Sequence, residues 1–205
     1  MRACAPGKLV LSGAYSVLEG APAIVSAVDR YVYCDSERSP EMITAEVRAA
    51  LPDGPVPYFD AEALRANGRK LGLGSSAAIL VASLAVSDRR TFAGDRALRE
   101  EIFGTALAAH QRAQGGGSGI DVAASTWGGT LVVRRGTGAS LAVDEVTFPP
   151  GLVVEVWASG SPASTPHFLA KVSALRERSP ATHTAIMGSL RAAASVAAEA
   201  LRRGQ

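Results

Sequence analysis

Gly72-Leu73-Gly74-Ser75-Ser76-Ala77-Ala78 runs directly into an apolar, alanine-rich stretch that lasts until about Val86. Glycines followed by serines at such a point predict a helix whose first backbone N–H groups are open and supplemented by hydroxyls, which suits phosphate. The spacing also matches the dinucleotide fingerprint G-x-G-x-x-A, but that motif needs a buried strand before it and an acid after the next strand. Leu64 to Lys70 is polar and basic, and Ser87 to Arg90 carries no strand signal, so that reading fails. A Walker A loop fails too, because no Gly-Lys-Ser/Thr follows. A glycine-serine helix start without a ligand is the plain alternative.

Lysine usage extends the signal. Among 21 basic residues only Lys8, Lys70 and Lys171 are lysine, and two of these sit beside glycine-rich turns: Lys8 after Pro6-Gly7, and Lys70 before Gly72. A compact ammonium binds phosphate as a point charge, whereas arginine offers a planar fork. A further cluster, Gly115-Gly116-Gly117-Ser118-Gly119-Ile120-Asp121, sets a carboxylate beside a flexible loop. Ser118 and Asp121 also have the spacing of a capping box, with Ser118 as N-cap, so a structural role stands beside a catalytic one. His110 lies near the apolar face of the preceding segment and reads as a packed, hydrogen-bonded histidine. His167 and His183 carry no spacing signal.

Composition narrows the class. A chain of 205 residues with 47% apolar and 20% charged residues is ordinary globular material, long enough for one domain or one and part of a second. The net charge, 21 − 19 = +2, gives no field that would recruit nucleic acid or an anionic membrane. The longest apolar run, Ala77 to Val86, is about half the ~20 residues a bilayer needs. The N-terminus breaks at Pro6-Gly7-Lys8 before a secretory core can form, so a cytoplasmic location is expected. Cys4 and Cys34 lack disulfide or zinc spacing and read as reduced packing residues.

Strand-like and helix-like segments are interspersed. Strands are expected over Leu9 to Leu11, Ala23 to Cys34, Thr130 to Arg135, Leu141 to Phe148 and Leu152 to Ala158. Ser39 to Asp60, with four prolines, reads as irregular. Helices are expected from Gly72 to about Val86, over Arg96 to Gln114, after Gly119, and over about 166–176 and 182–203. The order lacks the regular alternation of a doubly wound sheet, so the class is α+β. Pro149-Pro150-Gly151 is the expected domain boundary, dividing 1–148 from 149–205.

Taken together, the clusters resemble the GHMP kinase superfamily of galactokinase, homoserine, mevalonate and phosphomevalonate kinases. Its first motif looks like Ala5-Pro6-Gly7-Lys8-Leu9-Val10-Leu11-Ser12-Gly13, and its second like Gly72-Leu73-Gly74-Ser75-Ser76-Ala77-Ala78. Gly13-Ala14-Tyr15-Ser16-Val17-Leu18, Lys70, Ala109-His110, and Ala113-Gln114-Gly115 through Gly117-Ser118-Gly119-Ile120-Asp121-Val122-Ala123-Ala124 look most like phosphomevalonate kinases. Ser159-Gly160 with Ala163-Ser164-Thr165 extends the match over nearly the whole chain.

The resemblance implies a two-domain fold with a ribosomal protein S5 domain 2-like N-terminal domain. It implies that Lys70, Gly72, Leu73, Gly74, Ser75, Ser76 and Ala77 bind ATP, with Ser76 as a Mg²⁺ ligand. Lys8 and Asp121 would be the catalytic pair, and Lys8, Tyr15, Ser118, Gly119, Ser164 and Thr165 would bind substrate. The implied partner is a small molecule, phosphomevalonate, with mevalonate or another acceptor as alternatives, and the implied assembly a monomer or homodimer. Neither nucleic acid nor membrane is implied. Where mevalonate kinases carry an acidic metal ligand, this chain has His110, which favours the phosphomevalonate branch and leaves the metal on ATP oxygens, Ser76 and water. The family's C-terminal glycine-rich motif is absent, so the C-terminal domain is expected to be incomplete and a nucleotide-binding chain of little activity stays open.

Overall fold

A computed structural model describes residues 1–88, 95–136, 140–158 and 165–204. Its strands are β1 (Arg2–Ser12), β2 (Ala23–Asp35), β3 (Tyr58–Asp60), β4 (Arg65–Ala66), β5 (Arg69–Lys70), β6 (Thr130–Arg135) and β7 (Leu141–Val146). The helices are α1 (Ala45–Ala50), α2 (Ser75–Ser87), α3 (Arg96–Gln114), α4 (Ile120–Trp127), α5 (Thr165–Arg178) and α6 (Pro180–Arg202). One sheet has the order β1-β2-β6-β7 with β3 antiparallel on β2, and β4 and β5 form a separate hairpin. This is the α+β arrangement expected.

The chain forms two compact units, 1–9 with 25–129, and 10–24 with 130–205. Pro149-Pro150 lies inside the second. In the first unit α2 is apolar all round, and Ala77 to Val86 are all buried, so it runs through the core rather than along a surface. The other helices pack around it, α1 against α2 and α3, and α4 against α2 and α3. α3 has the expected bounds for local reasons. The Asp95 carboxylate caps its start by accepting from Leu98 N–H at 2.9 Å, and Gly115 ends it in the left-handed region.

In the second unit β6 and β7 pair antiparallel, with Val133 opposite Val143. Ile24, Val132 and Ala198 form a small core closed by Leu11, Val146, Ala197 and Leu201. The 3-10 turn Ser16–Glu19 packs against α6, where Arg191 donates to the Glu19 carbonyl at 2.7 Å.

Four expectations change. Residues 39–60 are not all irregular: Thr44 caps α1 by accepting from Val47 N–H at 3.3 Å, and packing on α3 holds a helix too short to stand alone. The basic stretch before the glycine loop is a hairpin, turning at Asn67-Gly68 with φ of 49° and 73°, a pair whose sequence favours such turns. Leu152 to Ala158 forms no strand, because its alternation meets no ladder partner among the described residues; Val153 is 79% and Trp157 86% exposed. Cys4 is exposed rather than packed. Cys34 is buried beside Ser83, and burial pushes its thiol up to about 11. A thiol reagent at pH 8 should therefore modify Cys4 in the folded protein and Cys34 only after denaturation; the count of modified thiols by mass spectrometry checks it.

Candidate active site

β1 and the loop before α2 meet at backbone distance. Lys8 N–H donates to the Leu73 carbonyl at 2.8 Å, and the Lys8 ammonium donates to the Gly72 carbonyl at 3.2 Å. The lysine stem lies across Gly74. A Cβ at Gly74 would fall 2.8 Å from Lys8 Cγ, and Gly74 has φ 74°, so two requirements exclude a side chain there. The first and second clusters, 64 residues apart in sequence, thus form one structure.

The third cluster joins through α4. Ser125 on α4 donates to the Pro6 carbonyl at 2.9 Å, tying the helix to β1 just before Lys8. Asp121 stands in the first turn of α4, where its Oδ1 accepts from Val122 N–H at 3.0 Å and its Oδ2 lies 3.5 Å from His110 Nε2. Burial pushes the Lys8 ammonium below its ordinary range, and the negative charge of Asp121 opposes that shift. The pair is electrostatically coupled in a partly dry setting.

α2 begins without a side-chain cap: its N-cap is Gly74, in the left-handed region, which has no side chain to accept from the first turn. The first bond back into the helix is Ala78 N–H to the Gly74 carbonyl, so the N–H groups of Ser75, Ser76 and Ala77 point off the helix end. Open N–H groups at a helix start are the kind of feature that suits an anion. Ser76 is half-buried at the same end.

Ser118 is not the N-cap of α4. That position belongs to Gly119, with φ 74°, which carries no side chain to cap with, so the capping box with Ser118 as N-cap falls away. The left-handed turn at Gly119 displaces the helix start by one residue, and Asp121 accepts from Val122 N–H within the first turn. Lys70 is exposed on β5, next to the loop. Tyr15 (φ 62°) and Thr165 belong to the second unit, Thr165 as the first residue of α5. Ser164 lies outside the described residues.

Sequence reading missed Glu46. It is 8% exposed on α1 and accepts from Gln114 Nε2 at 3.1 Å. Burial alone would raise its carboxyl, but the Gln114 bond, its own backbone N–H and Thr44 together hold it below the usual range. Thr44 followed by Ala45-Glu46-Val47-Arg48-Ala49-Ala50, a cap and then helix formers, was the signal.

Among known proteins, the chain is 29% identical over 251 residues to the phosphomevalonate kinase of Streptomyces sp. (strain CL190), covering 87% of this chain and 67% of that protein. It is 34% identical over 202 residues to the mevalonate kinase of Archaeoglobus fulgidus, covering 88% of this chain and 66% of that protein. It thus spans about two thirds of the length of these relatives. A Listeria innocua protein of known crystal structure superposes with a TM-score of 0.78 at 21% identity, over 99% of this chain and 73% of that one. The family description "GHMP kinases N terminal domain" matches residues 44–129, which hold the glycine loop, α2, α3 and the Asp121 turn. With its fold, its motifs and these relatives in agreement, the chain belongs to the GHMP kinase family.

Proposed function

We propose that the chain transfers the terminal phosphoryl group of ATP to 5-phosphomevalonate, giving 5-diphosphomevalonate in the mevalonate route to isoprenoids. The observation that carries this is Lys8 seated on the glycine loop, with the Asp121 charge acting on it. The uncapped start of α2 fits a triphosphate, since three open N–H groups lie there on a segment that carries two serines. Ser76 would hold Mg²⁺ together with ATP oxygens, and bound Mg²⁺ supplies charge neutralisation between the phosphates.

The residues act by placement and charge. The N–H groups of Ser75, Ser76 and Ala77 orient the phosphates, and Lys8 stabilises the negative charge that spreads over the transferring group. Lys70 adds a positive charge at the rim. A phosphate acceptor has a second pKa of about 6 and is largely ionised at neutral pH, so it needs no base. Both Asp121 oxygens already have protein neighbours, Val122 N–H and His110, which suits a carboxylate that orients Lys8 and the acceptor. Asp121→Asn should therefore keep turnover with phosphomevalonate within about tenfold; a loss approaching 10⁴-fold would instead mark Asp121 as a general base.

A second reading is mevalonate kinase, favoured by the 34% identity to the Archaeoglobus fulgidus mevalonate kinase. Incubation with ATP, Mg²⁺ and phosphomevalonate, mevalonate or homoserine, followed by ADP release, separates the two. Turnover with mevalonate alone would overturn the proposal. ATP binding without turnover of any acceptor would reduce the chain to a nucleotide-binding module.

A further inference from the structure

His110 is 2% exposed, near the end of α3, yet neither ring nitrogen is used as packing would use it. Nδ1 is buried without a hydrogen-bond partner among the described residues, while Nε2 stands 3.5 Å from Asp121 Oδ2. An unsatisfied buried nitrogen is costly, so packing alone would favour an apolar side chain of this size. The ring is tolerable if its other nitrogen has a task. The Asp121 carboxylate on α4 stands at that nitrogen, while Gln114, one turn further along α3, donates to Glu46 on α1. The third loop runs beside the ring: a Cβ at Gly117 would lie 4.0 Å from Nε2, an ordinary contact.

We propose that His110 is a positioning residue: its Nε2–H holds the Asp121 carboxylate in the orientation from which that carboxylate acts on Lys8. The inference rests on the phosphoryl-transfer reading for its effect on rate, but the pairing itself does not. A distance of 3.5 Å is long for a hydrogen bond, as contacts in ligand-free sites often are before substrate tightens them. Which ring nitrogen carries the proton is set by the bond it makes, so Asp121 selects the Nε2–H form.

The test uses three variants. Glutamine places an amide N–H near the position of Nε2, asparagine near that of Nδ1, and leucine supplies only volume. H110L should lower kcat by at most about tenfold, the ceiling set by Asp121→Asn, because His110 acts only through that carboxylate. H110N should resemble H110L, H110Q should recover most of the wild-type kcat, and KM for ATP should stay within about twofold throughout. Equal kcat for H110Q and H110L, or losses that follow the thermal midpoints, would overturn the proposal. ¹⁵N NMR of the imidazole provides a readout independent of turnover: the wild-type ring should carry its proton on Nε2, and Asp121→Ala should abolish that preference. A wild-type proton on Nδ1 would sink the inference even with normal kinase activity. ATP binding without turnover of any acceptor would remove the phosphoryl-transfer reading and leave the NMR result to decide the pairing.

Discussion

Lys8→Met should lower kcat for the proposed phosphoryl transfer by about 10³-fold or more while leaving the fold intact. Methionine keeps an unbranched stem over Gly74, so what is lost is the ammonium and its bond to the Gly72 carbonyl. Removing one preorganised electrostatic contact costs about 10²–10³ in rate, and a full charge at a transferring phosphoryl group up to about 10⁵. Lys8→Arg should not rescue it, because a branched, planar head cannot follow the path of an ammonium whose stem fills the space at Gly74. Steady-state rates beside thermal melts check both; melting loss in proportion to rate loss would assign Lys8 a structural role instead.

The same lysine sets an alkaline limit. Burial disfavours the charged form, so the Lys8 proton leaves at a pH below the ordinary 10.5. Activity that needs the ammonium must fall as pH rises through that lowered value. Its contribution to stability has the opposite sign: between the lowered value and 10.5 the unfolded chain holds a proton that the native chain has released, so this contribution rises with pH. A pH profile of kcat/KM with an alkaline limb below 10.5, set beside denaturant titrations over the same range, would show the two moving apart.

Gly74→Ala is the second large effect, and activity should suffer more than stability. A left-handed φ of 74° costs a non-glycine residue about 1–2 kcal/mol. The added methyl would also sit 2.8 Å from Lys8 Cγ and 3.0 Å from Cε. A lysine stem can move aside more cheaply than backbone can, so the clash displaces Lys8 instead of unfolding the protein. The expectation is a melting decrease of about 2–8 °C with a loss of kcat of about 10²-fold or more. Gly72→Ala is the comparison: φ is 77°, but a Cβ there meets nothing within 4 Å, so it should cost similar stability and far less activity. Equal activity losses for the two variants would show that backbone strain, and not the seat of Lys8, governs the site.

How much of this was legible depends on how local each determinant is. α3 was readable to its ends, because its cap is Asp95 binding Leu98 three residues on, its terminator is the adjacent Gly115, and its buried residues repeat at helical spacing. The glycine loop and α2 were readable for the same reason. α1 was not, since six residues make a helix only when a neighbour such as α3 covers Val47 and Glu46. Ser118 misled because serine and glycine can both precede a helix, and the choice between them was made by the left-handed turn at Gly119.

The amino-acid sequence by itself determined the ingredients: a glycine-serine helix start at Gly74-Ser75-Ser76, lysines where arginine is otherwise the rule, and a carboxylate after a glycine-rich loop. These follow from backbone freedom, charge and spacing over a few residues. Tertiary structure decided what each one does. Only folding laid Lys8 across Gly74, brought Asp121 to bear on it through α4, and set His110 beside Asp121. Those relations join positions tens of residues apart, where the geometry depends on how strands and helices pack and no local pattern encodes it.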